Sequence, residues 1–146
     1  MPGNPLVPQG VLNRVLSSIS VTNFPGLNIT APFVGKAGLH LLFGGVSTTF
    51  IDTMTGAVTS LEPYQTVMVT CHLLKTQGLA AAYETQRLTS SLLGDIVARS
   101  DTTTLPPYAL TNCAIENVRD LDFSGMDAGY VLELKGYYII NNSLFN

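Results

Sequence analysis

The stretch TVMVTCHLL, Thr66 to Leu74, is the clearest strand in the chain. Val67, Val69, Cys71 and Leu73 fall on one side of an extended backbone, and Thr66, Met68, Thr70 and His72 fall on the other, because successive strand side chains point to opposite faces. The first face belongs in a core. The second is neither charged nor fully apolar, and suits solvent, a second layer or a channel.

On the C-terminal side the period changes. Gln77 to Ser91 is rich in good helix formers and places Leu79, Ala82, Tyr83 and Gln86 on one side, which predicts a helix over 77–91 with Thr76 as N-cap and Gly94 just past its end. Glu84 and Arg87, three residues apart, form an exposed pair worth only ~0.2–0.5 kcal/mol. Asp95 to Arg99 reads as a short strand, 100–107 as a loop closed by Pro106-Pro107, and Tyr108 to Arg119 as another strand. Asp120 to Gly129, with three aspartates and two glycines, is a turn. The last strand, Tyr130 to Ile140, sets Tyr130, Leu132, Leu134, Tyr138 and Ile140 against Val131, Glu133, Lys135, Tyr137 and Ile139. A face that is half charged and half apolar suggests an interface.

On the N-terminal side, Val46 to Ser60 carries seven Thr or Ser side chains with Phe50, Ile51 and Met54, a single charge at Asp52, and Gly56 near a reversal. Such a hairpin is too apolar to dangle in water, so it either folds back on its own core or docks on a neighbouring subunit. Leu39, Leu41 and Phe43 alternate with His40 and Leu42 as a second strand, and 27–38 reads as an irregular extended connection. Val15 to Val21 is a first strand. Met1 to Gly10, with three prolines and two glycines, is an extended arm whose Leu6 and Val7 want something to lie on.

Six or seven strands and one helix predict a mainly β fold: two packed antiparallel sheets, as a sandwich or partly closed barrel, flanked by the helix. A chain of 146 residues is one domain, covering 1–146 with an arm at 1–13 and a long hairpin at 44–60. Charged residues are 12% of the chain, against about 25% in soluble proteins, so much of the surface is expected to be covered by other protein. The net charge is −3 and the seven cations are scattered, which leaves no basic stripe for tight nucleic-acid binding. The start lacks the basic and apolar regions of an export signal, and no apolar run reaches the ~20 residues of a membrane span, so cytoplasmic synthesis is expected.

Catalytic chemistry finds little footing. A nucleophile needs a base, and only His40 and His72 are present, both in mid-strand. His72 neighbours Cys71 but points to the opposite face, which rules out a direct Cys/His dyad. Cys71 and Cys113 have no metal spacing and read as buried thiols. Asp120, Asp122 and Asp127 miss the spacing of a calcium loop and read as a solvated acidic turn. No cofactor or metal is expected.

Three segments carry a resemblance: NPLVPQGVLNRV at 4–15, TMTGAVTSLEPYQTVMVTCHLLKTQGLAAAYETQ at 53–86, and LTNCAIENVRDLDFSGMDAGYVLELKGYYIINNSLF at 110–145. Together they resemble tail tube proteins of contractile-tailed bacteriophages, a family similar to type VI secretion tube proteins. The resemblance implies two packed β-sheets with a flanking helix, six-fold rings stacked into a tube, and a β-barrel inner wall through which the genome passes without specific binding. Implied partners are further copies of the chain, the tail sheath, the tape measure, the baseplate and the terminator, within a virion assembled in the host cytoplasm. It maps the hairpin and the arm onto contacts between rings, which singles out Pro5, Leu6, Val7, Pro8, Phe50, Ile51, Met54 and Thr55.

Thr66, Thr70 and His72 form one expected lumen-facing row, with Glu133 and Lys135 as the other choice. Two rival readings stand beside the tube subunit. Another tail or baseplate ring component would stop at one ring, and a small-ligand β-barrel module would be a monomer with a concave cluster of Tyr130, Tyr137 and Tyr138.

Overall fold

The computed structural model of the protein describes residues 6–146, among which lie eight strands and one α-helix. β1 (Ser18–Val21), β2 (Val34–Phe43), β5 (Tyr64–Leu74), β6 (Leu92–Arg99), β7 (Tyr108–Leu121) and β8 (Gly129–Ile139) form one antiparallel sheet in the order β1-β6-β7-β8-β5-β2. β3 (Thr48–Asp52) and β4 (Ala57–Leu61) form a separate two-stranded sheet. The helix α1 (Gly78–Thr89) flanks the larger sheet. The mainly β architecture with one flanking helix is therefore the one the alternation predicts.

The larger sheet curls. β1 and β2 stand at opposite ends of the strand order, yet Ser18 and Ile19 line the same cleft, about 250 Å³, as Leu39, Leu41 and Phe43. The concave side holds the core. Val67, Val69, Cys71 and Leu73 of β5 are all essentially inaccessible, and they meet Leu132 and Leu134 of β8, Ile96 of β6 and Ile19 of β1. Each such side chain contributes about 1.5–3 kcal/mol through burial. Helix α1 adds Leu79, Ala80 and Tyr83 to the same cluster, and the Tyr83 hydroxyl donates to the Leu27 carbonyl oxygen at 2.6 Å.

Several local expectations need correction. The first strand is only Ser18–Val21, because Val15 and Leu16 are drawn into a turn by the Asn13 carboxamide and carbonyl oxygens, a local bond that competes with the ladder. The region read as an irregular connection, 27–38, follows a 3-10 turn at Pro25–Leu27, contains a second at Ala31–Phe33, and then enters β2, which starts at Val34 rather than Leu39. Gly38, at φ +77°, lets β2 run through a register shift between Val34 and Leu39. The helix N-cap is Gln77, without a side-chain cap bond, and not Thr76.

Gly94 does not cap the helix either. It lies inside β6 at φ +82°, where a Cβ would collide with the Asn23 carboxamide, so it marks a bulge between β6 and β7. Ser90 ends the helix in an extended conformation.

Candidate functional site

The hairpin β3–β4 and the convex face of the sheet are the two surfaces on which the functional expectations fall. In the hairpin, Thr48 pairs with Leu61, Phe50 with Thr59 and Ile51 with Val58, and the tip turns at 53–56 with Thr53 N–H donating to the Gly56 carbonyl. Strand alternation therefore puts Ile51 and Val58 on one side and Phe50, Ala57 and Leu61 on the other. Neither side is covered: Phe50 is 65% exposed, Ile51 54%, Val58 55% and Met54 fully. Thr55 is exposed beside Met54 at the tip. Of the two courses open to this segment on sequence, folding back on its own core is not the one taken.

A lone two-stranded hairpin is at best marginally stable in water. Here the base is held by polar bonds. Thr49 Oγ1 donates to Glu62 Oε1 at 2.6 Å, Glu62 N–H donates to the Ser47 carbonyl at 3.0 Å, and Asn141 reaches across from the end of β8. Val58 and Asn141 escaped the sequence reading. Val58 had a detectable signal in its alternation with Ala57 and Thr59, whereas Asn141 had none beyond its place after an apolar strand.

The described part of the arm, residues 6–13, is likewise exposed. Leu6 is 80% exposed and Val7 63%, Val11 and Leu12 more than 70%, and Pro8 is also exposed. Pro5 lies outside the described residues. Leu12 and Val15 border a wide cleft against Gly35 and Leu39 of β2, so the arm leaves the body beside the open edge of the sheet.

On the convex face the two rows that sequence offered as alternatives stand side by side. Thr66 pairs with Tyr137, Met68 with Lys135, Thr70 with Glu133 and His72 with Val131 across β5 and β8, and His40 of β2 flanks Thr70 on its other side. Thr70 itself is only 4% exposed, so it underlies the face that Thr66, His72, Glu133 and Lys135 present. Arg119 of β7 approaches the Glu133 carboxylate at 3.6 Å. His40 and His72 meet edge to face with ring centroids 5.4 Å apart. Burial first, and then the charges of His40 and Arg119, hold the His72 imidazole below its ordinary pKa.

Other candidate chemistry disperses. Cys71 faces the core and His72 the convex side, as alternation requires, and burial pushes the Cys71 thiol up to about 12 and Cys113 to about 11. Asp122 and Asp127 accept backbone N–H bonds from Ser124 and Gly129, so their carboxylates organise the 122–129 turn. Among the described residues, no group of three or more His, Cys, Asp or Glu side chains is placed to hold a metal ion. Among them, too, no helix is long and apolar enough to cross a membrane.

The three tyrosines of the ligand-module reading do not cluster. Tyr130 is buried and donates to Glu84 Oε2 at 2.6 Å, while Arg87 pairs with Oε1 at 2.6 Å, so Glu84 ties helix α1 to β8. Tyr138 joins Phe43 and Tyr108 at the concave cleft, and Tyr137 turns to the convex face against Tyr64. No protein-family model matches the chain, and neither does any curated protein.

Proposed function

We propose that the chain is a non-enzymatic structural subunit of a phage tail tube, which self-assembles into stacked six-fold rings and forms the conduit for the genome. The observation that carries this reading is the hairpin: Phe50, Ile51, Met54 and Val58 stay in water on both of its sides while the core is complete without them. Exposed apolar patches of this kind mark protein contact sites. Ring contacts are heterologous, so a subunit needs complementary patches that differ, and the hairpin and the arm are two such patches on one chain.

In this reading the convex face, with Thr66, His72, Glu133 and Lys135, is the candidate wall of the lumen. Its charges are mixed in sign, which suits DNA that slides past without being held. Sheath, tape measure, baseplate and terminator proteins are the further partners, and the virion tail is the location. Dispersal of Tyr130, Tyr137 and Tyr138 weighs against the ligand-module reading. A baseplate or terminator ring component remains the competitor within the same class.

Electron microscopy of the purified protein, with light scattering across concentration, tests the proposal. Open-ended tubes roughly a hundred ångströms wide fit a wall of six domains of this size. Single rings would move the assignment to a ring component. A monomer at every concentration would overturn self-assembly altogether.

A further inference from the structure

The hairpin leaves the six-stranded sheet through two stems, residues 44–47 and 62–63, which connect β2 to β3 and β4 to β5. We propose that Asn141 is the positioning residue that sets the direction in which the hairpin projects. For its consequence in assembly, this inference rests on the tail-tube reading.

The geometry is compact. Asn141 Nδ2 donates to the Ser47 carbonyl at 3.0 Å and to the Glu62 carbonyl at 2.7 Å, and so grips both stems at once. A carboxamide NH₂ has two donors, and both are engaged. The Glu62 N–H to Ser47 carbonyl bond closes the same ring of contacts. Just before it, the Ile140 N–H donates to the Pro63 carbonyl at 3.1 Å, which brings the end of β8 against the second stem.

Asn141 is also held in an unusual backbone state, φ +52° and ψ 56°, at the start of the 3-10 turn Asn142–Phe145. Asparagine is among the few side chains that enter this left-handed region readily. The position thus asks for a left-handed backbone and for two side-chain donors, and asparagine meets both. Behind it stands β8, an interior strand of the sheet flanked by β5 and β7. Through Asn141 the orientation of the exposed apolar hairpin is referred to the rigid core.

Two substitutions test this. Asn141→Asp keeps the shape and loses both donors, while Asn141→Gly keeps the left-handed backbone and loses the side chain. Amide hydrogen exchange on dissociated subunits is expected to rise about tenfold across 48–61 in both variants, with β5 and β8 core amides such as Val69 and Leu134 unchanged. Light scattering is expected to place the onset of assembly at about tenfold higher concentration.

Unchanged exchange in the hairpin of both variants would overturn the proposal. So would a parallel rise in the core amides, which would make Asn141 a general support of the sheet. If wild-type protein never assembles, the tail-tube reading fails, and the exchange comparison still decides whether Asn141 orients the hairpin.

Discussion

His40 on β2 and His72 on β5 stack edge to face, 5.4 Å between ring centroids, on the convex side of the sheet. Burial, the neighbouring imidazole and Arg119 all disfavour a proton on His72, so its folded pKa lies below the ordinary value of about 6.5. The unfolded chain then binds more protons than the fold between that lowered value and about 6.5, and stability rises with pH across that window. As pH falls below about 6.5, stability is lost, and the loss from this group ends below the folded pKa. Urea unfolding between pH 5 and 8 should show this slope, and His72→Gln should flatten it. An equal slope in the variant would assign the effect to other groups.

Gly136 of β8 lies against β7 so closely that an added Cβ would strike Cys113 Sγ and come within 3.1 Å of the Thr111 carbonyl. Backbone and a buried thiol cannot step aside cheaply. Gly136→Ala should cost about 1–3 kcal/mol by overpacking. Pairing it with Cys113→Ala should recover part of that loss, because the closest contact is removed while the Thr111 carbonyl at 3.1 Å and the Cys113 Cα at 3.3 Å stay in place. Chemical denaturation of both variants is the measurement.

Tyr83 and Leu27, 56 residues apart, are joined by the buried hydroxyl–carbonyl bond. Tyr83→Phe keeps the ring and strands a carbonyl in the core, which should cost about 1–3 kcal/mol. Loss below a few tenths in a urea titration would mean that water reaches the Leu27 carbonyl.

Phe50→Ser and Ile51→Ser should leave monomer stability within about 0.5 kcal/mol, because both side chains are exposed and touch no core residue. Self-association should weaken strongly in each. Undiminished assembly by light scattering would take the hairpin out of the interface. Removal of residues 2–10 is the matching test for the arm, and is expected to weaken stacking while the fold survives.

Alternation at 66–74 marked both the strand and its buried face, since Val67, Val69, Cys71 and Leu73 are all sealed in the core. The helix at 78–89 was equally legible, because its spacing and composition are properties of adjacent residues. Boundaries were less so where a local device intervened: the Asn13 turn shortened β1, and left-handed glycines at 38 and 94 bent β2 and β6.

What no local pattern held is who pairs with whom. Thr70 and Glu133 read as competing rows until β5 and β8 met in register and made them neighbours 63 positions apart along the chain. An apolar hairpin such as 48–61 has the same composition whether it folds inward or projects, and only the completed core leaves it outside. Asn141 is ordinary in sequence and becomes a clamp because β8 ends beside both stems. Periodicity records the direction of each side chain, while register, curl and the fate of the hairpin depend on contacts between distant segments, and these exist only once the sheet has closed on its core.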